Sequence, residues 1–388
     1  MRDYIPYGRQ NITEADIDAV VKVLRSDWLT QGPMIDQFEQ AIANYCGAQY
    51  AVAVSNATAA LHLACLAIGL GPGDILWTSP NTFVASANCA RYCGAEVDFV
   101  DIDSQTYNLS VRSLGNKLET AAKNGTLPRV ILPVHFAGQS CEMQAINTLA
   151  ETYGVKVVED ASHALGGKYQ NKPIGSCQFS EMAIFSFHPV KMITTGEGGM
   201  IVTNSPELYH KLKQLRSHGI TQDPNQITQE SPGSWYYEQQ ELGFNYRLTD
   251  IQAALGLSQL KRLDQFVARR QALADRYHEK LQALPLETPI VLSCNQSSHH
   301  LYVIRLKLDQ LERSKSEIFS ELGSKGIGVQ IHYIPVHTQP YYQKFGFHWG
   351  QFPIVESYYH EALSLPIHYD LSDEEQDKIV QVLKEVLQ

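Results

Sequence analysis

The sequence predicts an α/β protein: a mostly parallel central sheet with helices on both faces, followed by a smaller C-terminal α/β domain. Three observations predict it. Between about residue 50 and residue 217, short apolar runs alternate with longer helical patterns. Those runs are apolar along their whole length, which is how strands buried on both faces read. A second, shorter alternation of strand and helix patterns follows residue 300.

Seven strands are expected in the first region, at residues 51–54, 75–78, 97–100, 130–134, 155–158, 183–187 and 200–202. Helices between them are expected at 58–68, 84–92, 143–153 and 206–216. Residues 220–246 are rich in Gln, Pro, Gly and aromatic side chains and read as irregular. One long amphipathic helix should follow, with Ile251, Leu255, Leu260, Leu263 and Val267 on helical spacing. The C-terminal part reads as strand 301–306, helix 315–325, strand 329–333, a loop, and helices 354–363 and 372–387.

The chain has 388 residues, 44% hydrophobic and 19% charged, enough apolar material for a sizeable core. Its formal net charge of −10 disfavours nucleic acid or an anionic membrane as a partner held by bulk charge. Seven cysteines without a CxxC pair argue against both a disulfide framework and a zinc ribbon. Residues 1–10 carry charges and Pro6 but no apolar run, so no signal peptide is expected there. No stretch approaches the ~18 apolar residues of a membrane span. The expected location is the cytoplasm.

In open parallel sheets, ligands sit beyond the carboxyl ends of the strands. Three such ends carry chemistry. Val157-Val158-Glu159-Asp160 closes one buried strand with an acid, which by itself reads equally well as a helix cap. Ala183 through Phe187 runs into His188-Pro189-Val190-Lys191, and a lysine there is costly unless exposed, paired or modified. The Gly-rich turn Gly196-Glu197-Gly198-Gly199 follows and allows close backbone approach. Ser55-Asn56-Ala57-Thr58 lies between a strand and a helix, where first-turn N–H groups can hold a phosphate. Phe83, after a further strand, can stack on a flat aromatic ring or pack in the core. A lysine nucleophile with a carboxylate for a pyridinium nitrogen is the minimal protein apparatus for pyridoxal phosphate.

These segments resemble the fold-type I pyridoxal-phosphate enzymes, in the sugar aminotransferase group called DegT/DnrJ/EryC1/StrS. The resemblance runs over nearly the whole chain. It rests on Trp28-Leu29-Thr30-Gln31-Gly32-Pro33, Glu159-Asp160-Ala161-Ser162-His163-Ala164 and Ser186-Phe187-His188-Pro189-Val190-Lys191. Gly196-Glu197-Gly198-Gly199-Met200 and Asn245-Tyr246-Arg247-Leu248-Thr249-Asp250 complete the order. Within the group, Arg25 to Thr30, Val134-His135-Phe136-Ala137-Gly138-Gln139-Ser140 and Gln330-Ile331-His332-Tyr333-Ile334-Pro335 are most similar to pseudaminic-acid-pathway members.

The resemblance implies residue roles. Lys191 would carry the cofactor as a Schiff base and move the proton. Asp160 would pair with the pyridine nitrogen, and His163 would lie by the ring and its hydroxyl. Ala57, Thr58 and Ser186 would hold the phosphate, with Phe83 on the ring. Asn245 would reach the cofactor of a neighbouring subunit, making a homodimer with a shared active site. Tyr7, Asp27, Trp28, Leu29, Thr30, Gln330, Ile331, His332 and Tyr333 would bind the sugar nucleotide, with Ala57, Ser186 and Asn245. The implied reaction moves an amino group from L-glutamate, leaving 2-oxoglutarate, to C4 of a UDP-4-keto-6-deoxy-N-acetyl-hexosamine. The implied division is an N-terminal segment, 1–25, packed with the small domain; a cofactor-binding domain, 26–250; and a small domain, 251–388.

Other readings have less support. Family dehydratases replace the lysine by His, whereas Lys191 is present here. Asp101-Ile102-Asp103 is a DxD that could hold a metal on a nucleotide diphosphate, or be a structural turn before Thr106-Tyr107-Asn108. His299-His300 and the His332/His337 pair match no zinc spacing and read as loop or sugar-contacting residues. No metal is expected. A non-catalytic regulator on the same fold is a third reading.

Overall fold

The computed structural model of the chain describes residues 4–388. One sheet is built from β1 (Tyr50–Val54), β2 (Ile75–Thr78), β3 (Glu96–Phe99), β4 (Val130–Leu132), β5 (Lys156–Asp160), β6 (Met182–Ser186) and β7 (Gly199–Thr203). Their order is β1-β7-β6-β5-β4-β2-β3. All seven expected strands form, with ends within two residues of expectation. β7 alone is reversed, antiparallel to both β1 and β6; the other pairings are parallel.

Period-two alternation divides the strand residues between two covered faces. Val52, Val54, Val158, Ile184 and Ile201 pack under α3 (Ala57–Ala67), α4 (Ala85–Tyr92) and α7 (Pro206–Arg216). Ala51, Ala53, Phe185 and Val202 face the other way, onto Phe38 and Ile42 of α2 (Pro33–Cys46). Ile131 and Val157 meet α5 (Val111–Asn124) and α6 (Met143–Tyr153) on that same face. Strand–helix alternation alone does not place α5. Its ends are marked by Ser110, whose side chain accepts from the Ser113 amide at 3.2 Å, and by Gly125 at φ 69°.

A second core holds Tyr277, Tyr302, Ile304, Leu322, Leu363, Ile379 and Leu383. It lies among α9 (Leu263–Leu281), α10 (Lys315–Ser324), α12 (Asp373–Leu387) and the antiparallel strands β8 (Leu286–Glu287), β9 (Tyr302–Leu306) and β10 (Ala362–Leu365). Ile5 enters this core and bridges to Ile327. α1 (Glu14–Leu24) instead packs on α8 (Asp250–Leu260), where buried Asp16 accepts from Gln259 and Arg262.

Three elements differ from expectation, each through a tertiary contact. The long helix after residue 250 breaks between α8 and α9, where the Arg262 guanidinium turns to Asp16 at 2.7 Å. The helix expected at 354–363 is α11 (Pro353–Glu361), and the chain switches at Ala362 to pair with β9. The four residues of β10 are all buried, and ladder bonds outweigh their helical pattern. Residues 329–333 form no strand. Gln330 makes one bridge to Ser364, then the His332 ring bonds the Ser364 hydroxyl and the Tyr333 amide turns to Asn81.

Candidate active site

The carboxyl ends of β1, β5 and β6 open into one cleft of about 1140 Å³. Where the cleft meets the end of β1, Asn56 caps α3 by accepting from the Ala59 amide at 2.8 Å. The first intrahelical bond comes from Ala60, so the amides of Ala57 and Thr58 stand at the positive end of the helix. Gly199 is required beside them. A Cβ there would lie 2.6 Å from the Asn56 carbonyl carbon and 2.7 Å from the Ala57 nitrogen. Ser186, the last residue of β6, lines the same cleft.

Asp160 ends β5 with both carboxylate oxygens engaged. The Ser86 hydroxyl donates to Oδ2 at 2.6 Å, and the Ser162 amide donates to Oδ1 at 3.1 Å. Lys191 sits in the turn after β6, its amide donating to the His188 carbonyl at 2.9 Å. Burial holds its amine down to about 8, against the opposing pull of Asp160. An amine near 8 keeps a usable neutral fraction at pH 7–8 and is a better nucleophile than an exposed lysine.

Three imidazoles surround that amine. Burial, with the charge of Lys191, holds His163 and His300 well below the ordinary histidine range and His332 down to about 3. His163 meets the Tyr333 hydroxyl at 3.0 Å through Nε2, while its buried Nδ1 has no hydrogen-bond partner among the described residues. His332 meets Ser364 at 2.8 Å through Nδ1 and lies 5.5 Å from the Tyr7 ring. Phe83 is 59% exposed and presents its ring to the opening.

Of the residues singled out in the sequence, Lys191, Asp160, His163, Ala57, Thr58, Phe83 and Ser186 line this cleft. So do Tyr7, Gln330, Ile331, His332 and Tyr333. Asp27, Trp28, Leu29 and Thr30 do not: they are exposed, on a turn held where Asp250 accepts from the Gly32 and Met34 amides. Asn245 is also exposed and outside the cleft of its own chain, although Tyr246 lines it. Ser86 escapes local reading, because a serine in a helical first turn looks like any other. His300 lines the cleft while its neighbour His299 turns away to Gln271 at 3.0 Å.

The DxD carboxylates serve the backbone. Asp101 accepts from the Ile354 and Val355 amides at 3.0 Å each and so caps α11. Asp103 accepts from the Gln105 and Thr106 amides of the following turn.

A carboxylate, a lowered lysine and a helix N-terminus in one cleft fit pyridoxal phosphate: an acid for the ring nitrogen, an amine for the aldehyde and N–H donors for the phosphate. The model of the DegT/DnrJ/EryC1/StrS aminotransferase family matches residues 10–384. The chain belongs to that family. Relatives in it include the spore coat polysaccharide biosynthesis protein SpsC of Bacillus subtilis, 41% identical over 99% of this chain and 97% of that protein. A UDP-4-amino-4,6-dideoxy-N-acetyl-beta-L-altrosamine transaminase of Campylobacter jejuni is 39% identical over 95% and 93% of the two chains. Among solved structures, Helicobacter pylori PseC, an aminotransferase of pseudaminic acid biosynthesis, superposes with a TM-score of 0.90 at 32% identity, covering 99% of both chains. The pyridoxal-phosphate form of a Streptococcus pneumoniae sugar aminotransferase gives 0.88 at 30% identity, over 99% and 100% of the two chains. This DegT/DnrJ/EryC1/StrS chain is therefore a nucleotide-sugar aminotransferase with the fold-type I architecture, from a pyridoxal-phosphate-dependent family. Among the described residues, no helix is long and apolar enough to cross a membrane.

Proposed function

We propose that this transaminase takes an amino group from L-glutamate and delivers it to C4 of a UDP-4-keto-6-deoxy-N-acetyl-hexosamine, UDP-2-acetamido-2,6-dideoxy-β-L-arabino-hex-4-ulose, in pseudaminic acid biosynthesis. One observation carries the reading: Lys191, its amine lowered to about 8, shares a cleft with Asp160 and the start of α3. When bound, pyridoxal phosphate supplies an aldehyde that accepts and hands on the amino group, and a ring that draws off electrons.

The chain's own residues do the rest. The amides of Ala57 and Thr58, with the Ser186 hydroxyl, would hold the phosphate. Asp160, fixed by Ser86 and Ser162, would face the ring nitrogen and keep it protonated. Lys191 would hold the aldehyde and, as general acid and base, carry a proton to and from sugar C4. Tyr7, Gln330, Ile331 and His332 wall the side where the sugar enters, and Tyr333 beside them turns its hydroxyl to His163. Phe83, exposed at the cleft, would stack on the cofactor ring.

Exposed Asn245, Asp27, Trp28, Leu29 and Thr30 support a homodimer in which these residues complete the neighbouring subunit's cleft. A second reading is another UDP- or dTDP-keto sugar in the same pocket; the Bacillus subtilis relative, at 41% identity, is named for spore coat polysaccharide biosynthesis and not for the pseudaminic acid step.

The test loads the enzyme with pyridoxal phosphate, reduces it with borohydride and maps the added mass. The mass should fall on the peptide containing Lys191, and its appearance elsewhere rejects the site. The pyridoxamine-loaded enzyme is then offered a panel of UDP- and dTDP-keto sugars. Recovery of the pyridoxal spectrum with a dTDP sugar alone would reject the UDP assignment.

A further inference from the structure

We propose that Tyr333 is a positioning residue, whose hydroxyl donates to Nε2 of His163 and fixes that imidazole as the tautomer carrying its proton on Nδ1. The consequence for catalysis rests on the transaminase reading above; the hydrogen bond itself does not.

The contact is 3.0 Å, and the two rings lie 27° from parallel with centroids 6.0 Å apart. Geometry alone leaves the direction of donation open, and counting donors decides it. Among the described residues, the Tyr333 hydroxyl has His163 as its one hydrogen-bond partner. If His163 donated from Nε2, the phenol proton would have no acceptor and Nδ1 would be a buried bare lone pair without a donor. If Tyr333 donates, its proton is satisfied, and only the Nδ1–H awaits a partner. A phenol is also the stronger donor and a neutral imidazole nitrogen the stronger acceptor, so this direction gives the stronger bond.

His163 is neutral in this setting, because burial and the nearby Lys191 charge both disfavour a second proton. Burial likewise raises Tyr333, keeping its hydroxyl protonated. The support is rigid on both sides. The Tyr333 amide donates to Asn81 Oδ1 at 3.3 Å, and the preceding carbonyl, that of His332, accepts from the Tyr358 hydroxyl at 2.7 Å. The His163 carbonyl accepts from the Ser298 hydroxyl at 2.9 Å, and its ring packs against His300 at 4.5 Å. Tyr333 is the residue that addresses an imidazole nitrogen. Without it, the ring is free to exchange tautomers.

The test is nuclear magnetic resonance of the purified full-length enzyme labelled with 15N in its histidine rings. His163→Gln identifies the His163 signals among the 14 histidines. In the wild type, Nδ1 should be protonated and Nε2 bare; a proton on Nε2 overturns the proposal without any variant. In Tyr333→Phe the tautomers should mix. The turnover number should fall about tenfold while KM for the keto sugar changes less than about twofold. A Tyr333→Phe enzyme that keeps the Nδ1 tautomer and only raises KM also overturns the proposal, because that is the pattern of direct sugar contact. The tautomer is read without turnover, so a wrong substrate assignment and a wrong role for Tyr333 fail in separate measurements.

Discussion

Ser86, the second residue of α4, donates a 2.6 Å hydrogen bond to Oδ2 of Asp160, 74 positions later at the end of β5. Both groups are buried. This bond, with the Ser162 amide on Oδ1, pins the carboxylate, as the proposed pairing with a ring nitrogen requires. Ser86→Ala should leave Oδ2 without its donor and lower the turnover number about tenfold. Asp160→Asn removes the charge as well and should cost on the order of a hundredfold or more. Steady-state kinetics on both variants checks the order. Equal rates for Ser86→Ala and wild type would show that Asp160 needs no such support.

Lys191 sets a pH dependence. Its amine is lowered from 10.5 to about 8, and only the neutral amine attacks an aldehyde. Capture of pyridoxal phosphate by cofactor-free enzyme should accelerate as pH rises and level off above about 8. A lysine of ordinary basicity would keep accelerating toward about 10. The linkage has the matching sign. A folded-state value below the unfolded one means the fold carries a penalty below pH 8, relieved as pH rises from 8 toward 10.5. Lys191→Met should therefore raise the Tm of the cofactor-free protein at pH 7, with the difference from wild type shrinking by pH 10. Stopped-flow absorbance and thermal melts measure the two effects.

Gly199 allows β7 to pass against the start of α3. A Cβ there would sit 2.6 Å from the Asn56 carbonyl carbon, and both contacts are backbone, so the neighbour cannot simply rotate away. Gly199→Ala should displace the Ala57 and Thr58 amides and weaken cofactor binding about tenfold or more, with the fold retained. Fluorescence titration with pyridoxal phosphate reads the dissociation constant, and circular dichroism reads the fold.

His135 and Glu159 form a buried pair at 2.6 Å beneath Asp160, and the His135 amide donates to the Asp160 carbonyl at 3.0 Å. The Cys141 amide donates to His135 Nδ1 at 3.2 Å, so that nitrogen is bare and the ring proton on Nε2 is donated to Glu159. The Ser180 hydroxyl donates to the same carboxylate. Glu159→Ala should destabilise the protein by about 1–3 kcal/mol at pH 7, because it leaves the buried Nε2–H without an acceptor. Urea unfolding of the variant and the wild type measures the difference.

The layered α/β class, the seven sheet strands, most helices, and the motifs that bear Lys191, Asp160, Ala57 and Thr58 could be read from the sequence alone. These were legible because burial on two faces, helical periodicity and cap residues act over a few neighbouring positions. Only the tertiary structure decided that residues 362–365 are strand, that the chain turns at Arg262, and that 329–333 stop after one bridge. It also decided that Ser86 braces Asp160, that Tyr333 reaches His163, and that Asn245 lies outside its own chain's cleft. Each of these outcomes depends on partners tens or hundreds of residues apart, such as Gln330 with Ser364 or Arg262 with Asp16. Periodicity records which face of an element is apolar, but not which distant group will meet it.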